Sequence, residues 1–288
     1  MSQKPMIIQE VLKVKAKTFL TPHFIRVTLT GENIFKFANA TVGANNKIFI
    51  PPSGLNEVHF PELDLEKRQW IYPPDTIRPF VRTYTHSGFN ATKNEMYIDF
   101  VSHGENGPAS AWALYCNPGD VLGVAMKTDK KELYPKANWY LLAGDATAIP
   151  VLSCILESLP ATANGKCIIE VHSKEDEQLL KTKANIDFYW LHNPKPEQSS
   201  TLAKEVKKVS FPDFPNVSRY SYVAAEFNTV KEIRNYLRKE MNLKREELNA
   251  YSYWKAGVSE DNSAQERHNE NEEAYQKRHT VINTTHKI

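Results

Sequence analysis

The stretch WYLLAGDATAIPVLSCILESLP, residues 139–160, decides how the rest of the chain is read. Residues 139–143 form an unbroken apolar run, the pattern of a strand buried on both faces. Gly144-Asp145-Ala146-Thr147-Ala148 is a turn into a helix, along which Ile149, Leu152, Ile155, Leu156 and Leu159 recur at helical spacing until Pro160 stops it. The same rhythm continues downstream. Residues 167–171, 188–191 and 220–225 read as further buried strands, and residues 229–240 as a helix with Val230, Ile233 and Leu237 on one face. Alternating strands and helices predict a parallel α/β sheet with helices on both sides, over residues 134–258.

Upstream, residues 1–133 follow a different rule. Residues 7–14, 25–29, 47–50, 82–85, 96–101 and 121–125 are short β-branched or alternating runs, separated by turn clusters such as Thr30-Gly31-Glu32-Asn33 and Asn117-Pro118-Gly119-Asp120. Their spacing predicts a closed six-stranded antiparallel β-barrel, interrupted by one helix that starts at Pro108. At the other end, residues 259–288 hold six acidic and four basic side chains and little that is apolar. They form a polar extension, expected to be disordered or helical.

Composition narrows the setting. Among 288 residues, 36 Lys+Arg against 34 Asp+Glu leave a net charge of +2, which gives no global attraction to nucleic acid or to a membrane. Cys116, Cys154 and Cys167 are too far apart for a disulfide framework and contain no CxxC pair. The N-terminal segment mixes charge into its apolar residues, unlike a signal peptide, and no apolar run approaches membrane length. None of the nine histidines stands in HxH or HExxH spacing, so no protein-held metal is expected. A cytoplasmic monomer, with no nucleic-acid partner and no membrane insertion, is the expectation.

Two segments carry chemistry. In Arg82-Thr83-Tyr84-Thr85 the arginine and tyrosine share one face of a strand; a guanidinium can clamp a phosphate while a phenol ring stacks on a flat heterocycle. In His103-Gly104-Glu105-Asn106-Gly107-Pro108-Ala109-Ser110-Ala111-Trp112-Ala113, small residues at a helix start leave backbone N–H groups and a positive dipole end for a pyrophosphate. Taken singly, each is an ordinary strand or helix cap.

Together they resemble the siderophore-interacting protein family, the flavin-dependent ferric-siderophore reductases of the ferredoxin-reductase superfamily. Arg82, Tyr84 and Thr85 match its Arg-x-Tyr-Thr pattern, and His103, Gly107, Pro108, Ala109, Trp112 and Ala113 its second motif. Ala143, Gly144, Asp145, Thr147, Ala148 and Pro150 match the third, and Tyr253, Trp254 and Gly257 the last. The resemblance implies FAD on the barrel, held by Arg82, Tyr84, Thr85, Asp99, Val101, His103, Gly107, Ala109 and Ser110. It implies NADH or NADPH on the second domain, near Gly144, Asp145, Thr147, Glu226 and Trp254. It further implies that FAD accepts hydride from the nicotinamide and passes single electrons to siderophore-bound Fe(III), releasing Fe(II). No protein acid, base or nucleophile is needed for this.

Anionic ferric siderophores call for a basic pocket, and Lys47, Lys127 and Lys255 are the candidates. Three positions depart from the family pattern. Ser87 stands where an arginine is usual, Ala146 where an acid is usual, and Ala225 where glycine is usual; the Ala225 methyl is expected to crowd an approaching nicotinamide. The alternatives are a general flavin-dependent electron-transfer reductase, with ferredoxin as one candidate donor, and a non-catalytic siderophore or flavin binder. For the donor, His172-Ser173-Lys174 suits a 2′-phosphate and Glu170 a ribose diol.

Overall fold

The structure is a computed structural model describing residues 7–258, apart from residues 65, 68, 106 and 213–216. The polar extension at 259–288 lies outside the described residues.

Strands β1 (Ile7–Thr21), β2 (Phe24–Thr30) and β3 (Asn45–Ile50) open the chain; β4 (Glu62–Asp64) and β5 (Gln69–Ile71) pair as a small separate hairpin. Strands β6 (Phe80–Asn90), β7 (Glu95–Val101) and β8 (Val121–Lys127) complete a closed antiparallel barrel, in the order β1-β2-β7-β6-β3-β8. The expected six strands are these six. Strand β1 runs longer than its apolar pattern because register shifts after Val14 and Phe19 bend it around the barrel. Alternation sends Leu12, Val27, Leu29, Ile48, Ile98, Phe100, Leu122 and Val124 inward. Helix α1 (Pro108–Tyr115) packs Ala109 and Ala113 into this core.

Two inward positions break the apolar pattern. His86 stands opposite Ile98 and is fully buried, and neither ring nitrogen has a partner. The Asn46 amide on β3 is buried and unpartnered as well.

The second half is built from β9 (Trp139–Asp145), α2 (Ile149–Ser158), β10 (Asn164–Val171), β11 (Asn185–His192), α3 (Leu202–Lys207), β12 (Arg219–Glu226), α4 (Phe227–Lys239) and β13 (Leu248–Trp254). Its five strands are all parallel, ordered β11-β10-β9-β12-β13. Strand β9 shows why the run at 139–143 is apolar throughout. Tyr140 and Leu142 pack with α2 on one face, and Leu141 and Ala143 with α3 and α4 on the other. Burying Ile149, Val151, Leu152, Ile155 and Leu156 of α2 contributes roughly 1.5–3 kcal/mol per side chain. Gly144 is obligatory at the turn: a Cβ there would lie 2.4 Å from the Ala148 Cβ and 2.7 Å from the Ala224 carbonyl oxygen. Helix α3, strand β13 and the β4–β5 hairpin were not expected from the sequence. Among the described residues, no helix is long and apolar enough to cross a membrane.

Burial pushes the His86 imidazole down from 6.5 to about 4. The folded protein therefore binds this proton less readily than the unfolded chain. Stability is full above the unfolded value and declines as pH falls towards the folded one, by up to about 3 kcal/mol. Urea unfolding between pH 7 and 4 should show this slope, and His86→Leu should flatten it.

Candidate active-site cleft

The barrel and the sheet meet at a cleft of about 1070 Å³ lined from both sides. Ordinary small-molecule pockets occupy about 300–1000 Å³, so this one has the capacity for a dinucleotide.

On the barrel wall, β6 supplies Arg82, Tyr84 and Thr85, and β7 supplies Asp99 and Val101. The Tyr84 ring packs 4.6 Å from Phe100, which fixes one edge of the phenol against the barrel core. Thr85 is buried and lines the cleft together with Tyr253. The Asp99 carboxylate is held by Arg26, whose Nε and Nη2 donate at 2.7 and 2.8 Å. His103, Gly107, Ala109 and Ser110 continue the wall. Gly107 takes φ +121, a conformation that other residues rarely adopt. The Ser110 hydroxyl accepts from the His103 N–H at 3.1 Å and donates to the Gly104 carbonyl at 2.6 Å, bracing the loop over the helix start. Among the described residues no side chain caps α1, so its first N–H groups and positive end open on the cleft.

On the sheet wall the centre is Asp145. Its Oδ1 accepts from the Thr147 N–H (2.9 Å) and hydroxyl (2.5 Å), and its Oδ2 from the Glu226 N–H (2.9 Å) and the Trp254 indole N–H (2.8 Å). One carboxylate thus joins the ends of β9, β12 and β13. Burial pushes its pKa up, and these hydrogen bonds pull against that shift. Asp145, Thr147 and Trp254 line the cleft.

Some expected residues lie elsewhere. Gly144 is outside the lining, and its role is close packing. Glu226 is also outside; its carboxylate caps α4 by accepting from the Asn228 and Thr229 N–H groups at 2.6 and 3.1 Å. Ala225 is buried in the core beneath α3 and α4, so its methyl does not reach the cleft and does not crowd a ligand there. Ser87 falls in the β6 bulge, and its hydroxyl lies 3.4 Å from the Thr85 carbonyl. Of the three lysines, Lys255 lines the cleft, whereas Lys47 and Lys127 do not. Lys47 sits opposite Ala125, two residues before Lys127, so alternation puts both on the outer face of β3 and β8. The Lys47 ammonium donates to the Thr83 hydroxyl at 2.5 Å, and Thr83 is a lining residue.

A junction missed by sequence reasoning holds the two walls together. The buried Asp176 carboxylate accepts from the Thr21 hydroxyl and the His23 N–H, both at 2.9 Å, and its Oδ2 lies 2.9 Å from His23 Nδ1. Burial opposes its charge, yet the bonds from His23 and Thr21 outweigh this and hold the carboxyl below its usual range. Phe24, next in the chain, inserts into the core between α2 and the sheet. Partners some 150 positions apart leave no local pattern to read.

Residues 13–127 match the siderophore-interacting FAD-binding domain, and residues 137–257 match the siderophore-interacting protein family. Ferric vibriobactin reductase ViuB of Vibrio cholerae is 31% identical over 262 residues, spanning 91% of this chain and 95% of ViuB. The chain belongs to the siderophore-interacting protein family. A siderophore utilization protein from T. fusca superposes with a TM-score of 0.78 at 26% identity, covering 89% of this chain and 96% of the other. Ferredoxin-NADP+ reductase from Plasmodium falciparum, at 13% identity and a TM-score of 0.57, covers 84% and 95% and shares the fold alone. The barrel is therefore the family's FAD-binding domain. Its residues fit that cofactor: a cation at Arg82, an aromatic ring at Tyr84 and an uncapped helix start all open on one dinucleotide-sized cleft.

Asp145→Asn puts an amide NH2 where only donors converge. The substitution should lower stability by about 1–3 kcal/mol, measured as a fall in thermal midpoint.

Proposed function

We propose that this chain is a ferric-siderophore reductase of the cytoplasm, taking electrons from NAD(P)H through FAD and delivering them to siderophore-bound Fe(III). The chain is a flavin-dependent oxidoreductase, and residues 1–133 and 134–258 act as its FAD and nicotinamide domains. One observation carries the reading: the flavin-type residues of β6 and α1 and the nucleotide turn after β9 line the same cavity. Donor and acceptor sites thus share one space.

Bound FAD supplies the coupling between a two-electron donor and one-electron acceptors. The chain positions the partners. Arg82 and the N–H groups at Ala109 and Ser110 bind the pyrophosphate; Tyr84 and Thr85 orient the ring system, with Asp99, Val101, His103 and Gly107 completing that wall. Asp145, Thr147 and Trp254 form the opposite wall, with Gly144 and Glu226 supporting it from behind. Lys255 within the cleft, with Lys47 and Lys127 on the outer barrel face, attracts an anionic ferric chelate. Iron(III) prefers hard anionic oxygen far more than iron(II), so reduction loosens the chelate without a protein acid or base.

Under nitrogen, the yellow protein should bleach with NADH or NADPH and recolour on addition of a ferric siderophore. Failure to recolour across catecholate, hydroxamate and carboxylate chelates would overturn the reading. Lys255→Ala should raise KM for an anionic chelate by about tenfold, and Lys47→Ala or Lys127→Ala by less, measured as iron(II) release in a ferrozine assay.

A further inference from the structure

We infer that the nucleotide side of the cleft selects a donor whose adenosine ribose carries a free 2′-hydroxyl, NADH over NADPH. The inference rests on the nicotinamide reading above and makes it specific.

In a parallel sheet of this kind, the adenosine ribose meets the carboxyl end of the strand next to the nucleotide turn, here β10 beside β9. The two features expected there from the sequence are both otherwise engaged. Glu170 accepts from the Thr201 N–H at 2.9 Å and the Asn193 amide at 3.1 Å. In the competing segment, the Ser173 hydroxyl donates to Asp176 at 3.0 Å and the His172 ring stacks on His23 at 4.0 Å. Lys174 is outside the lining, as is Lys195 beyond β11.

What remains decides the sign. Among the described residues lining the cleft at the ends of β10 and β11, the charged side chains are Glu170, Asp176 and Glu197, with no lysine or arginine. Lys255 follows β13, three strands from β10, roughly 14 Å away at ordinary strand spacing. A 2′-phosphate brings nearly two further negative charges and normally needs an arginine or lysine to receive it. Here it would meet carboxylates. A hydroxyl carries no such penalty, and the Gln178 amide nitrogen at this end is buried with no partner, a donor for a ribose oxygen. Discrimination therefore comes from repulsion of the phosphate as much as from attraction of the diol.

The test is anaerobic stopped-flow reduction of the FAD-bound protein by each nucleotide. NADH should exceed NADPH by about tenfold or more in second-order rate of flavin bleaching. Glu197→Lys should move that ratio towards NADPH by about threefold or more. Equal or faster bleaching by NADPH in the unaltered protein overturns the inference, as does a ratio unmoved by Glu197→Lys. Bleaching by neither nucleotide, while dithionite still reduces the flavin, ends the nicotinamide reading itself and is a separate outcome from a reversed preference.

Discussion

The cleft depends on one buried carboxylate. Asp145 leaves β9 at the turn and receives donors from its own turn, from the end of β12 and from the indole after β13. Such a group is costly to bury unless every lone pair is engaged, and here four donors converge on two oxygens. The arrangement therefore holds three parallel strands in a fixed register at the end that faces the cleft. The Gly144 backbone, packed against Ala148 and Ala224, makes that convergence sterically possible.

Asp176 repeats the device between domains. Its donors come from the β1–β2 turn of the barrel, so the two walls are joined by one hydrogen-bonded cluster beside a shared apolar contact at Phe24. Asp145, a candidate ligand-binding group from the sequence, and Asp176, which no motif marked, are both architectural in their first role. Glu226 and Glu170 behave alike, each engaged with backbone N–H groups at a helix start. Acidic residues near a nucleotide turn are not automatically free for the nucleotide.

This pattern explains what the sequence disclosed and what it did not. The barrel strands were legible because each buries one face, and β9 because it buries two; both leave a periodic trace. Strand β13 is a half-buried edge with polar residues among its aromatics, and α3 has only six residues, too few to display a period. Arg82, Tyr84, Asp145 and Trp254, which the motifs single out through local spacing and chain order, all line one cleft. The direction of the Ala225 methyl was not legible: it depends on which face of β12 the helices cover. Nor was the separation of Lys47 and Lys127 from the cleft lining, which follows from register across β3 and β8.

The division of labour that results is physically coherent. Groups that would need desolvation to bind a ligand strongly are already satisfied inside the protein, so they set the shape of the cleft and little of its affinity. Under the proposed function, recognition would fall to what lines the cleft: the N–H groups at the start of α1, the guanidinium of Arg82, the rings along β6 and β13, and charge at the rims. Charge there is segregated, with Lys255 beyond the β13 edge and carboxylates at the β10–β11 end. Under the proposed function, this segregation would favour an anionic iron chelate at the Lys255 end and leave the carboxylate-lined end to a donor that brings no 2′-phosphate.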